Sequence, residues 1–259
     1  MQLGPHSSSV STLSQGLRSI VDLVRARVLD AELAALVGLL VEGGVPLVLA
    51  GVVSAGERTA VLRALTWSTD VGPAGRGSND QRPTRPLFGD LDAGPPDSVL
   101  LGRLRGVGTT AAAGAGLALG MQAGSLEEVF ARLRAEPVGL TDDQISLLGL
   151  VLVLAAVGRG SEVAQEESGS GRSGGPWRIA SAHYLRPLAR DAGGHVQRLG
   201  PAVLSTWDPV RGQFEHYAWG VMAELAARIG ERPADLEREQ AHRARHLAEF
   251  AAAPGLVVP

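Results

Sequence analysis

The stretch that decides the fold reads VPLVLAGVVSAGERTAVLRAL and runs from Val45 to Leu65. It opens with a short apolar run that follows two glycines, a pattern typical of a buried parallel strand. Small residues fill the segment from Gly51 to Gly56, and helical periodicity begins at Thr59. The sequence therefore predicts a strand, a glycine-bounded loop and a helix, which indicates an α/β fold with a mainly parallel sheet.

The loop has the glycine spacing of a phosphate-binding loop without its charges. Such loops have the form G-x-x-x-x-G-K-[ST], because backbone N–H groups and the helix terminus cradle phosphate oxygens. Gly51 and Gly56 stand at the glycine positions, but Glu57 replaces the lysine and Arg58 replaces the hydroxyl residue that binds magnesium. A carboxylate in place of the ammonium turns attraction for the phosphate into repulsion, and each such charge pair is worth ~4 kcal/mol at ~4 Å and an effective dielectric of ~20. We therefore expect ATP binding in the ordinary geometry to be strongly weakened.

No lysine elsewhere can take over this role, because all 24 basic residues are arginine. One alternative is that Arg58 and Thr59 act as a displaced Lys-Thr pair after a one-residue insertion. That shift turns a helical side chain by ~100°, so the loop would have to rewind. The candidate cofactor-binding residues of the loop are Gly51, Ser54, Gly56, Glu57, Arg58 and Thr59.

The chain resembles the ATPases of type II secretion, type IV pilus and type IV secretion systems from about Leu29 onward. In that family a segment such as VEGGVPLVVAGPPGSGKTTLLRAL carries the phosphate loop, and Val41 to Leu65 is similar on both sides of the loop. The resemblance implies a RecA-like P-loop core, ATP and Mg²⁺ as ligands, and a hexameric ring. Because the resemblance starts just ahead of the RecA-like part, we expect the family's N-terminal domain to be absent, truncated or encoded elsewhere.

Two further family motifs are similar but have altered chemistry. One is an apolar strand followed by GEVRG, whose Glu supports magnesium and water; Val99 to Gly106 resembles it, with Arg103 at that Glu. The other is GGLATLHANS, whose His lies near the phosphates; Gly116 to Ser125 resembles it, with Gln122 at that His. The resemblance thus places Arg103 and Gln122 at catalytic positions without the family's catalytic groups.

These replacements predict a non-hydrolysing pseudo-ATPase that serves as a structural or regulatory component of secretion or pilus machinery. It would work with proteins of that machinery, or as a homo- or hetero-oligomer. The alternative is an active ATP hydrolase with an atypical site, in which Arg58, Arg103 or Arg105 surrounds the phosphates or a neighbouring subunit supplies the missing residues. A third interpretation is a fragmentary gene product with no present function.

Composition excludes several other classes of function. The chain has 24 basic and 27 acidic residues, so a nucleic-acid partner is not expected. It has no cysteine, which excludes a thiol nucleophile and favours a reducing cytoplasm. The charge-free stretch from Gly106 to Leu126 is too rich in Gly and Ala to predict a membrane span. We expect a cytoplasmic protein that reaches the inner membrane only through its partners.

We expect four regions along the chain: an N-terminal helix and linker (1–28), a degenerate RecA-like domain (29–157), a flexible Gly/Ser loop (158–176) and C-terminal strands and helices (177–259). The last region is predicted to be a small β-hairpin and helical subdomain. Within the second region we predict a loop over Ser68 to Ser98, a strand at Val99 to Leu101 and another at Leu117 to Met121. Capping signals at Ser125 and Thr141 predict two helices.

Two histidines, His242 and His246, stand four residues apart on a predicted helix. This spacing can bind a metal, but no third ligand is evident in the sequence. We interpret the pair as part of a solvated helix face, and we predict no metal site.

Overall fold

The computed structural model describes residues 17–66, 87–94, 97–107, 116–157, 177–190, 193 and 195–253. Its strands are β1 Leu47–Gly51, β2 Leu87–Asp90, β3 Leu117–Met121, β4 Leu150–Ala156, β5 Trp177–Tyr184, β6 Ala189–Arg190, β7 Val196–Gln197, β8 Ala202–Asp208 and β9 Gln213–His216. Seven of them form one sheet in the order β2-β3-β1-β4-β5-β8-β9, and β6 pairs with β7.

The helices are α1 Ile20–Arg25, α2 Ala31–Glu42, α3 Ala55–Thr66, α4 Ser98–Arg105, α5 Leu126–Arg134, α6 Asp142–Ser146, α7 Met222–Arg228 and α8 Pro233–Ala252, with a 3₁₀ helix at Ala218–Val221. Side chains cap several of them: Asp30 accepts a hydrogen bond from the N–H of Leu33, and Ser125 accepts one from the N–H of Glu128. In the described part of the chain, no helix is long and apolar enough to cross a membrane.

The sheet has a parallel half and an antiparallel half that meet at β4. Strand β1 pairs in parallel with β3 on one side and with β4 on the other, so that Leu47 lies opposite Ala118 and Leu150. Strand β2 pairs in parallel with β3, whereas from β4 through β5 and β8 to β9 each strand is antiparallel to the next. The fold is therefore α/β, with a mixed sheet that is mostly parallel at its core.

Helices cover both faces of the parallel half, which explains why β1 is buried along its whole length. Leu47 and Leu49 pack into a core formed with α1, α2, α3, α7 and α8. Val48 and Ala50 point to the opposite face and pack into a second core with α4, α5 and α6. Each face buries apolar side chains worth roughly 1.5–3 kcal/mol apiece, and these two layers hold the ends of the parallel strands in place.

Two predictions between β1 and β3 are wrong. The residues from Val99 to Leu101 lie within α4 and not in a strand, because Asp97 caps a helix by accepting a hydrogen bond from the N–H of Val99. The second strand lies earlier, at Leu87–Asp90, within the segment that was predicted to be a loop. Residues 68–86 of that segment lie outside the described residues.

Three of the C-terminal strands, β5, β8 and β9, join the main sheet, while β6 and β7 form a separate pair. Strand β5 pairs with β4, and β8 and β9 continue the same sheet to its edge. The antiparallel half thus extends the sheet that carries the loop after β1. The predicted Gly/Ser loop over 158–176 and the residues before Leu17 lie outside the described residues.

Candidate functional site

The loop after β1 lies at the carboxyl ends of the parallel strands, where open α/β sheets bind their ligands. Strand β1 ends at Gly51, and α3 begins at Ala55. A Cβ atom on Gly51 would lie 3.0 Å from both the Cβ and the carbonyl oxygen of Leu154 on β4. The first glycine of the motif is therefore explained by the close approach of the neighbouring strand.

Ser54 and Glu57 close the mouth of the loop with a reciprocal pair of hydrogen bonds. The backbone N–H and the hydroxyl of Ser54 donate to one carboxylate oxygen of Glu57, at 3.0 and 2.8 Å. In return the N–H of Glu57 donates to the Ser54 hydroxyl oxygen at 3.2 Å. This is a capping box at the start of α3. A carboxylate of the protein itself thus takes up the amide of the N-cap residue Ser54, at the end of the helix where phosphate binds in such loops.

Arg58 turns inward beneath the loop, and its side chain is only 1% exposed. Its Nε and Nη2 atoms donate to the two carboxylate oxygens of Asp90, at 2.8 and 2.9 Å. Nη1 donates to the carbonyl oxygens of Gly51 and Val53, and Nη2 also reaches Asp92 at 3.4 Å. Every N–H donor of a guanidinium group can therefore find an acceptor here.

A second arginine extends this network toward α5. Asp92 accepts hydrogen bonds from Arg132 at 2.6 Å and from the N–H of Gln122 at 2.5 Å. Arg132 also donates to the carbonyl oxygen of Gln122, and the N–H of Asp92 donates to Asp90 at 2.9 Å. Two guanidinium groups and two carboxylates balance in formal charge. The network joins the ends of β1, β2 and β3 into one neutral cluster.

Gly120 makes room for this cluster. Strand β3 lies between β1 and β2, so the link from Arg58 to Asp90 has to cross it. A Cβ atom at Gly120 would collide with the carboxylate of Asp90. The glycine is needed because the carboxylate of the charged pair occupies the space above β3.

The structure brings together only part of the predicted set. The loop and its network contain Gly51, Ser54, Glu57, Arg58 and the backbone of Gln122. Two further predicted residues, Gly56 and Thr59, lie on α3.

The structure places the two arginines of α4 elsewhere. Arg103 is exposed on α4, and Arg105 donates to the carbonyl oxygens of Pro137 and Val138 at 2.6 and 3.1 Å. Arg105 therefore supports a turn near α5 and takes no part in the loop network. The strand that was expected to precede Arg103, at Val99 to Leu101, is part of a helix, so the motif that assigned Arg103 to a catalytic position does not have its expected secondary structure.

Sequence reasoning missed Asp90, Asp92 and Arg132. The available signal was the short run Leu87-Phe-Gly-Asp90, in which an aspartate ends an apolar dipeptide and a turn follows. The Asp90 side chain is buried and so needs a cationic partner, which Arg58 supplies.

The residues present do not fit ATP and Mg²⁺ in the ordinary arrangement. In phosphate-binding loops the metal is held by the loop hydroxyl and by an aspartate at the end of a neighbouring strand. Here Asp90 has that placement, but the guanidinium of Arg58 occupies both of its oxygens. Among the described residues, no group of three His, Cys, Asp or Glu side chains could hold a metal ion.

Comparisons with known proteins assign no family, since no family model matches the chain and no curated protein matches it. The resemblance to secretion and pilus ATPases therefore rests on its motifs, above all on the stretch from Val41 to Leu65.

Proposed function

We propose that this chain is a RecA-like relative of the secretion and pilus ATPases that does not hydrolyse ATP and acts as a structural or regulatory component. The observation that carries the proposal is the ion pair between Arg58 and Asp90, called the fork because two parallel hydrogen bonds join the groups. This fork lies beneath the loop and is almost completely buried. The protein's own charges stand where a nucleotide and its metal would bring theirs. On this proposal a RecA-like fold is retained, and side chains take the place of the ligand.

In this proposal Arg58 stands where the metal ion would bring its positive charge. A divalent ion at the end of β2 would need the oxygens of Asp90, which already accept two hydrogen bonds from the guanidinium. Bringing Mg²⁺ there would place it against a buried positive charge. Two such charges at ~4 Å repel each other by several kcal/mol at an effective dielectric of ~20. Arg58 thus acts as a fixed replacement for the metal.

In the same way Glu57 stands where a phosphate would bring its negative charge. Its carboxylate already accepts from the N–H and hydroxyl of Ser54, so an incoming phosphate would have to displace it. If Glu57 remained nearby, it would repel the phosphate by an amount similar to that estimated for the metal. The capping box therefore acts as an internal substitute for the phosphate contact.

A partner in secretion or pilus machinery follows from the motif resemblance, and so does assembly with copies of this chain or with a competent ATPase. Such a role needs a stable fold and a surface, and it does not need a nucleotide cycle. The ATP hydrolase with an arginine-based site receives no support from the geometry, because Arg58 points away from the loop mouth and Arg105 binds a distant turn.

The test is a calorimetric titration of the full chain with ATP and Mg²⁺, followed by a phosphate-release assay. We expect the wild type to show no binding tighter than about 100 μM, a value that corresponds to ~5.5 kcal/mol. Binding tighter than this together with phosphate release would contradict the proposal.

The double variant E57K/R58T restores the charges of a phosphate-binding loop and frees Asp90. We expect it to gain ATP binding that depends on Mg²⁺, seen as a rise in Tm when both are added. The matched control is R63A, because Arg63 is an exposed arginine on the same helix. If R63A responds as the double variant does, the effect does not come from the loop. If the double variant does not fold, the wild-type titration still decides.

A further inference from the structure

The exposed face of α8 carries a pair of histidines with their rings turned toward each other. The Nε2 atoms of His242 and His246 lie 3.0 Å apart, with ring centroids 4.4 Å apart and planes inclined by 72°. We propose that this pair binds one divalent transition-metal ion of the Zn²⁺, Ni²⁺ or Cu²⁺ type. The inference is independent of the proposed function, since α8 lies outside the loop network.

The spacing of the two nitrogens is the first reason. Imidazole nitrogens bind Zn²⁺ at ~2.0–2.1 Å, so two of them on one ion lie ~2.9 Å apart at a right angle and ~3.3 Å apart at a tetrahedral angle. The observed separation of 3.0 Å falls between these values. Coordination therefore requires the two rings to rotate, but the backbone of α8 need not move.

The second reason is a carboxylate behind one of the rings. Oε2 of Glu249 lies 3.8 Å from Nδ1 of His246, on the side of the ring away from His242. Metal-binding histidines usually turn their other nitrogen toward a carboxylate, which holds the proton on that nitrogen and leaves Nε2 free to bind. Glu249 lies beyond hydrogen-bond distance here, and a small rotation of its exposed side chain would let it accept from Nδ1 of His246.

Two of the three arginines of α8 are matched by carboxylates. Arg243, which follows His242, is paired with Glu42 and Glu239. Arg238, one turn before His242, is paired with Asp235. Arg245 remains as an exposed neighbour on the same helix.

Other histidines in the described part of the chain use their Nε2 atoms differently. His216 places Nε2 on Asp30, and His183 places Nε2 on Ser181. The pair on α8 differs because each Nε2 faces only the other ring, with the His246 side chain 52% exposed. The ion would have two protein ligands, and water would fill its other positions. This is a chelating site of modest affinity, open to a further ligand.

The experiment uses the full chain without a histidine tag, freed of metal by EDTA and then titrated with Zn²⁺ in a calorimeter. We expect one ion per chain. H242A and H246A should each weaken binding at least about tenfold, because a second ligand on the same chain binds at high effective concentration. E249Q should weaken it about tenfold. Acid should release the ion, since a protonated imidazole has no free lone pair.

The matched control is H195A, which removes an exposed histidine elsewhere and leaves the pair intact. We expect its affinity for Zn²⁺ to equal that of the wild type. Equal affinity of the wild type and the H242A/H246A double variant would overturn the proposal, and an unchanged affinity of E249Q would overturn the role of Glu249. The Tm of each variant without metal checks that α8 is still folded.

Discussion

Replacing Arg58 with methionine tests the fork most directly, because it leaves Asp90 buried without its cation. The Asp90 side chain is only 4% exposed, so water cannot take the place of the guanidinium without opening the end of the sheet. Removing one partner of a buried ion pair costs about 3–5 kcal/mol. Domains of this kind are stable by only about 5–15 kcal/mol, so R58M should lose a large share of the folding free energy.

A second substitution separates the charge from the packing. In R58M/D90L both charges are replaced by apolar groups, a change that is often neutral when the volume is kept. The backbone N–H of Asp92 would still lose its acceptor on Asp90, a loss worth about 1 kcal/mol. We therefore expect the double variant to be more stable than R58M by about 2 kcal/mol or more. R58K should be intermediate, since an ammonium keeps the charge but lacks the fork.

The assay is urea denaturation followed by circular dichroism, with the midpoint and slope fitted for each variant. R63A is the control and should stay within about 0.5 kcal/mol of the wild type, because Arg63 is exposed. An R58M variant within about 1 kcal/mol of the wild type would refute the reasoning. So would a double variant that is as unstable as R58M, because the loss would then not come from the unpaired charge of Asp90.

Two other substitutions give sharp outcomes. G120A should push Asp90 aside and cost about 1–3 kcal/mol in the same denaturation assay, whereas G102A meets open space on a helix and should stabilise slightly; equal effects would contradict this account. Burial lowers the pKa of His216, but its hydrogen bond to Asp30 and the nearby carboxylates raise it by more, so the net shift is upward. This contact should stabilise the fold fully below about pH 6.5, and the stabilisation should disappear as the pH rises through the folded-state pKa. The free energy of unfolding should therefore fall more for the wild type than for H216Q between about pH 5.5 and 8.5. Parallel pH profiles of the two proteins would count against it.

Local signals in the sequence predicted the central elements well. The apolar run before Gly51 is β1, Leu117 to Met121 is β3, and the capping residues Ser125 and Thr141 begin α5 and α6 as expected. Each of these depends on a pattern within a few residues, which the sequence displays directly. The capping box of Ser54 and Glu57 has the same local pattern, but Glu57 was interpreted only as the replacement of a phosphate-loop lysine.

The errors arose where short apolar runs had to be assigned without knowledge of their surroundings. Val99 to Leu101 has too few residues to distinguish strand from helix, and the cap at Asp97 decides for the helix. Leu87–Asp90 contains a glycine and an aspartate, both poor strand formers, and it becomes a strand because β3 lies beside it.

The inward turn of Arg58 is a tertiary effect of the same kind. The sequence showed that Arg58 stands at the position of the magnesium-binding hydroxyl. Its partner Asp90, however, lies 32 residues later and at the end of β2. A long-range pair of this type is visible only when the order of the strands is known.

The position of β1 between β3 and β4 also has a consequence for the course of folding. Both neighbours of β1 come later in the chain, so a ribosome releases the loop residues well before either supporting strand exists. The β8–β9 hairpin, by contrast, needs only its own tight turn and can form at once. During synthesis Arg58 therefore spends its first seconds as an ordinary solvated arginine. It becomes a buried one only when the strands that enclose it have been made.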